Sequence, residues 1–284
     1  MEPFIDDNVF WLIVIAIVAV VAVLFVAALP NLLNMLGLNR RYRGRSFDLS
    51  GKRALIIATN HGMLGEGGKK TGVYASEMTV AYYEFLDGKM DVDVASIQGG
   101  EIPIEPSSLR WPVRTTADKR FLSDSEFQDK VKHSLKIDDL DFTRYDIVYM
   151  AGGWGAAYDL GCSEVLGQKI TEAYAANVVL GSVCHGALGF LQAKDQDGHP
   201  LVKGRRMTAV TDKQVKELRI MMTPQHPERE LRKAGALYES EKAFRDFFAS
   251  HVVVDGDLVT GQNQNDAAEV AQLMMGIVDR RSAK

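Results

Sequence analysis

Cys184 and His185 stand side by side in "GSVCHG" (residues 181–186), at the end of the apolar run "NVVLGSV". A buried strand usually runs out into a turn of Gly, Asn, Asp or Pro. A thiol beside an imidazole offers instead a group that can attack an electrophile and one that can move a proton. The following "GALGFLQA" reads as a helix, so the layout is strand, cysteine, helix. That is the order of a nucleophile elbow, with Ser182 and Gly186 flanking where two glycines commonly stand. A helix N-terminus behind the sulfur would favour the thiolate and lower its pKa. A buried structural thiol fits the same spacing, because free Cys is among the most buried residue types. Spacing alone leaves both readings open.

The elements that must position this pair follow from periodicity. "KRALIIAT", "DVDVASI", "YDIVYMAGG" and "VVLGSV" read as short buried strands. "GVYASEMTVAYYEFLDG" has helical spacing, with Val73, Met78, Tyr82 and Phe85 on one side and Gly88 as a stop. "SEVLGQKITEAYAAN" is the next helix, and "GGEIPIEPSSLRWPVRT" is an ordered loop. Later come a strand in "RRMTAVT", a helix in "PERELRKAG" and a hairpin in "HVVVDGDLVTG" turning at Asp-Gly. "NDAAEVAQLMMGIVDRR" reads as a helix capped by Asn265 or Asp266. Strands alternating with helices predict an α/β fold with a doubly wound, mostly parallel, flavodoxin-like sheet, whose sites form beyond the strands' carboxyl ends.

Residues 9–29, "VFWLIVIAIVAVVAVLFVAAL", carry no charge and are apolar all round. At 1.5 Å per residue the run is about 30 Å long, the thickness of a bilayer core. A signal peptide would carry a basic start and a shorter apolar stretch, whereas Glu2, Asp6 and Asp7 make this start acidic. Arg40, Arg41, Arg43 and Arg45 follow the run. The positive-inside rule then puts a short tail (1–8) outside, a transmembrane helix at 9–29, and a basic juxtamembrane linker (30–50) and a catalytic domain (51–284) in the cytoplasm, with Pro30 ending the span. The location expected is a cell inner membrane. Net charge is −4, which disfavours a nucleic-acid partner. Two cysteines, Cys162 and Cys184, make no disulfide framework and read as reduced thiols. No His/Cys cluster has zinc-ligand spacing and no glycine motif suits a phosphate loop.

Five segments in order, "KKTGVYASEMTVAYYEF", "SIQGGEIPIEPSSL", "MAGGWGAAYDL", "GSVCHGALGFL" and "RELRKAGALYES", resemble the ThiJ/PfpI superfamily, in its heat-shock-type glyoxalase III branch. The resemblance implies that Cys184 is the nucleophile, that Glu77 leans over it partly protonated, and that His185 transfers protons. It also implies that Gly152 and Gly153 form an oxyanion hole with the amide of His185. Trp154 stands where the branch usually has histidine. The branch's triad acid falls at Val215, flanked by Asp212 and Glu217; Asp212, at the strand end, is the expected substitute. "QHPE" at 225–228 resembles the His-Pro-Glu of class I glutamine amidotransferases, but its place in the register makes His226 a local capping or surface residue.

The resemblance implies a small reactive carbonyl substrate, methylglyoxal converted to D-lactate without glutathione, or removal of early glycation adducts, with no cofactor or metal. The superfamily leaves open a cysteine peptidase or amidase. A third reading is a non-catalytic holdase, thiol sensor or accessory subunit of a membrane complex recruited through residues 9–29. Family members are often homodimers.

Overall fold

The structure is a computed structural model that describes residues 7–40 and 42–282; Glu2, Asp6 and Arg41 lie outside the described residues. Seven strands form one sheet: β1 Arg53–Ala58, β2 Asp91–Ser96, β3 Leu135–Lys136, β4 Ile147–Met150, β5 Val179–Val183, β6 Val252–Asp255 and β7 Leu258–Gly261. Their order is β3-β2-β1-β4-β5-β7-β6, and every pair is parallel except the hairpin β6/β7. The chain builds outward from β1 first to β2 and then, on the other side, to β4. The crevice between β1 and β4 is therefore the switch point where such sheets place ligands.

Both faces are covered, as the unbroken apolar runs of parallel strands require. Along β1, Ala54, Ile56 and Ala58 enter one core and Leu55 and Ile57 the other. The first core is closed by the helices Ala75–Asp87 and Ala267–Ser282, the second by Glu164–Ala175. A flat strand surface at Gly181 lets the C-terminal helix approach closely: a Cβ there would lie 2.3 Å from Met274 Sδ.

Most expected elements are present, with differences of physical origin. The segment "RRMTAVT" stays outside the main sheet: Arg206–Met207 pairs with Leu237–Tyr238, and the Thr208 amide donates to the side-chain Oγ1 of Thr260 (3.0 Å) instead of to a strand carbonyl. After Cys184 the chain makes a 3₁₀ helix over Cys184–Phe190, not an α-helix. The expected cap residues Asn265 and Asp266 lie within a 3₁₀ turn, Gln264–Asp266, that leads into the C-terminal helix and is itself capped by Asn263 in a reciprocal box with Asp266. The helix before β2 stops at Gly88 as expected, but the glycine caps it at an ordinary φ of −75°, and it is Lys89 that takes the left-handed turn, at φ 63°.

The N-terminal helix, Asp7–Met35, runs through Pro30 instead of ending there. Its end is set a turn later, where Asn34 Nδ2 donates to the carbonyls of Leu38 (3.2 Å) and Asn39 (2.7 Å) and Gly37 turns at φ 107°. Within Asn8–Met35 its most apolar 18-residue stretch has a mean hydropathy of 3.4 and packs against nothing in the chain. Length and composition suit a membrane span, and a signal sequence would share them. Residues 36–50 are only partly a free linker: Leu38, Phe47 and Leu49 are buried, and Arg45 pairs with Asp279 at 2.9 Å.

Gly72 (φ 151°) shows how tightly the loops meet: a Cβ there would sit 1.9 Å from the Pro103 carbonyl oxygen. Gly72→Ala should cost about 3 kcal/mol, seen as a lower urea midpoint at unchanged slope.

Candidate active site

Cys184 ends β5 with a φ of 57°, a left-handed conformation that costs a non-glycine residue roughly 1–2 kcal/mol. Gly186 allows the bend to close, since any Cβ there would meet the Met150 carbonyl oxygen at 2.2 Å. The strain turns the sulfur out of the strand into a nearly closed pocket. His185 Nδ1 lies 3.4 Å from Sγ. The backbone N–H groups of His185 and Gly153 donate to the sulfur, and the Glu77 side chain also hydrogen-bonds it.

Glu77 is placed by the first turn of the helix after β1. Tyr74 at the N-cap offers no side-chain cap, so the loop at 99–115 supplies one: Ser108 Oγ accepts from the Ala75 amide at 3.0 Å, and Val73 bridges to Ile104. This explains why "EIPIEPSSL" accompanies the glutamate. The Gly152 amide donates to Glu77 Oε2 at 2.9 Å, so Gly152 is not free to bind an oxyanion. A Cβ on Gly152 would lie 2.6 Å from the His185 nitrogen, so its contribution is close approach. The amides of Gly153 and His185 remain as the donors beside the sulfur.

Burial lifts the Glu77 carboxyl to about 8, against the smaller downward pull of its bonds to Cys184 and Gly152. The carboxyl is thus protonated at neutral pH and can donate. Burial, and then the charge of Glu77, also push the Cys184 thiol well up, and the two amides only partly oppose them. The lowered thiol pKa expected from a helix N-terminus is therefore overturned, because a buried sulfur on a 3₁₀ turn loses more by desolvation than the turn returns. His185 is lowered to about 3 by burial and by His226, so its imidazole is neutral.

Among the described residues no acid orients that imidazole. His185 Nε2 is buried without a hydrogen-bond partner among the described residues. Asp212 does not reach it: as the first residue of the helix Asp212–Glu217 it faces His226 Nδ1 and Arg229, each at 3.8 Å. Glu217 turns the other way and accepts from the Asp246 amide (2.9 Å), while Val215 is core. His226, in contrast, is not a surface residue. It is 5 % exposed, stands at the N-cap of the helix Pro227–Lys233 without a side-chain capping bond, and lies close enough to His185 to influence its protonation. The histidine of "QHPE" was legible as a motif, but its burial depends on the fold.

The cavity at Cys184 has a volume of about 180 Å³. Besides Glu77, Gly153, Cys184 and His185 it is walled by Tyr74, Trp154, Val113, Val210, Leu218 and Phe247, with the polar Ser107, Gln214 and Gln264 between them. Trp154 is half-buried, with the Lys69 ammonium 5.2 Å above its ring. Val113, Leu218 and Phe247 were missed by sequence reasoning, since loop residues from three separate segments carry no periodic signal. An exposed turn brings Asp195, Asp197 and His199 within 4.8 Å of one another, but Asp195 Oδ1 already accepts from the amides of Asp197 and His199.

A strained elbow cysteine on a doubly wound sheet, under a protonated carboxyl and held by two backbone amides, defines an α/β protein built for chemistry at a buried sulfur. The chain belongs to the DJ-1/PfpI family, whose sequence profile matches residues 70–276. It is 28% identical to the glutathione-independent glyoxalase hsp3101 of Schizosaccharomyces pombe, over 78% of this chain and 93% of that protein. It is 30% identical to Glyoxalase 3 of Candida albicans, over 72% and 89%. Among solved structures, Rapid Encystment Protein 24 KDa of Francisella tularensis superposes with a TM-score of 0.74 at 30% identity (80% of this chain, 99% of that one). Glyoxalase III of Candida albicans superposes with a TM-score of 0.71 at 26% identity (80% and 97%).

The raised Glu77 pKa fixes a pH dependence. Its folded value, about 8, lies above the unfolded one, so its contribution to stability is complete below about pH 4.5 and is lost as pH rises to 8. Asp266, raised to about 7 by burial, acts in the same sense. Between pH 5 and 8, Glu77→Gln should therefore flatten the fall in unfolding free energy, at most by about 1.4 kcal/mol per pH unit. Urea titrations of both proteins at several pH values measure this.

Proposed function

We propose that the chain is a membrane-anchored, cysteine-dependent enzyme that converts 2-oxoaldehydes such as methylglyoxal into 2-hydroxy acids without glutathione. The observation that carries this reading is that a protonated Glu77 carboxyl and a neutral His185 imidazole both contact one sulfur, in a chain whose relatives are named glyoxalases. Cys184 gives up its proton to His185 as its sulfur adds to the aldehyde carbon, forming a hemithioacetal. The amides of Gly153 and His185 stabilise the oxyanion. The Glu77–His185 pair then takes the proton from C1 and delivers one to C2 through an enediolate, so that C1 is oxidised and C2 reduced. The resulting 2-hydroxyacyl thioester is hydrolysed by water, which returns the thiol.

The helix Asp7–Met35 is the proposed anchor, single-pass, with the arginines after it and the domain on the cytoplasmic side. Its uncovered apolar surface and Arg40, Arg43 and Arg45, all exposed, support this topology. Extraction by detergent but not by alkaline carbonate, with the domain digestible only from the cytoplasmic face, is the expected result.

Cys184→Ala should abolish turnover of methylglyoxal, and Glu77→Gln should lower kcat by about 100-fold or more, both read by D-lactate release. Asp212→Asn should change kcat less than about threefold, because Asp212 does not orient His185. A large loss there, with unchanged folding, would restore it as the triad acid.

A further inference from the structure

We propose that this site takes 2-oxoaldehydes bearing a hydrocarbon tail, received directly from the bilayer in which the N-terminal helix sits. The inference rests on the reading of the site as a carbonyl enzyme and of the helix as an anchor, and it names the substrate class.

The cavity is larger and less polar than a three-carbon dicarbonyl requires. It measures about 180 Å³, and beyond the reacting groups Val113, Val210, Leu218, Phe247 and Trp154 make up most of its exposed wall, with Ser107, Gln214 and Gln264 as polar residues among them. A methylglyoxal molecule on Cys184 leaves this apolar wall facing water; an alkyl tail would cover it.

The stem of the helix is fixed to the same wall. Asn39 Nδ2 donates to the Val113 carbonyl and the Asn39 amide donates to Asn265 Oδ1, both at 2.7 Å. Asn265 Nδ2 in turn donates to the Phe247 carbonyl at 2.9 Å. Gly37 packs against the next carbonyl, that of Phe248, where a Cβ would stand 2.6 Å away. Two pocket walls from distant parts of the sequence are thus tied to residues two to four positions beyond the end of a helix suited to a bilayer.

The segments that reach the wall also carry uncovered apolar side chains. Trp111, two residues before Val113, is 51% exposed, and Phe244, three before Phe247, is 96% exposed. Met35 and Leu36 at the helix end are 84% and 60% exposed. Together with the arginines these side chains suit the headgroup boundary, where Trp and basic residues gather. An apolar-tailed aldehyde is neutral and partitions into lipid, whereas the 2-hydroxy acid formed from it is anionic and is drawn to water. Reaction at the boundary therefore separates product from substrate. The bond changes are those given above, with one water consumed per aldehyde.

The test uses the full chain in unilamellar vesicles of phosphatidylcholine and phosphatidylglycerol, with methylglyoxal and 2-oxoaldehydes of six, eight and ten carbons. The expected result is a rise in kcat/KM of about fourfold per added CH₂ over the first few, then a plateau when the cavity is full. Initial rates with the long aldehydes should also be higher when they are loaded into the enzyme's own vesicles than when supplied from separate ones. A flat series with methylglyoxal turnover intact overturns the substrate class and leaves the glyoxalase reading standing; absence of turnover across the series overturns both. Equal rates from the two loading schemes overturn delivery through the bilayer. A readout independent of activity is the fluorescence of Trp111 with Trp11 and Trp154 replaced by Phe. Lipids brominated high on their acyl chains should quench it, and an unquenched Trp111 removes the mouth from the boundary.

Discussion

The site depends on one backbone constraint, a cysteine held left-handed at the end of a central strand. At ordinary strand dihedrals the Cys184 side chain would lie against the packed face of the sheet, and neither the glutamate nor the amides could meet it. The turn persists because its surroundings leave no alternative: Gly186 lies on the Met150 carbonyl, Gly152 lies on the His185 amide, and Gly153 (φ 99°) is wedged under the backbone of Tyr74. Packing energy from two cores is what keeps these strands close enough to impose the strain.

Burial then decides the protonation states. A thiolate in such a place would be unstable by itself, and an ionised carboxylate beside it more so. The outcome is a site with no net charge at rest, in which proton and substrate must move together. This is a different solution from an exposed low-pKa thiol. A buried, protonated thiol is less open to water-borne oxidants than an exposed thiolate.

Much of this architecture was legible in the chain. The parallel strands show as unbroken apolar runs, the hairpin as Asp-Gly between "HVVV" and "LVTG", and the elbow as a cysteine where a turn residue belongs. What could not be read were properties that arise only when distant segments meet. Asp212 looks placed to orient His185 because it ends the right segment, yet the helix it begins points it toward His226. The thiol pKa was misjudged because sequence shows a following helix but not the depth of burial. Pro30 looked like a stop because proline usually is one, whereas the carbonyl contacts that end the helix come from Asn34, four residues on. The walls Val113, Leu218 and Phe247 lie in loops whose conformation is set by side-chain hydrogen bonds.

Asp266 joins several of these parts in one place. Its carboxylate accepts from Ser250 Oγ and from the amides of His251, Gln262 and Asn263. The neighbouring Asn263 and Asn265 side chains hold the carbonyls of Asp246, Phe247 and Ala249. One short turn thus serves as the common foundation of the helix stem, a wall of the cavity and the start of the C-terminal helix. In genetic terms, residues 263–266 form a pleiotropic locus. Lesions there would disturb the helix stem, the cavity wall and the C-terminal helix together.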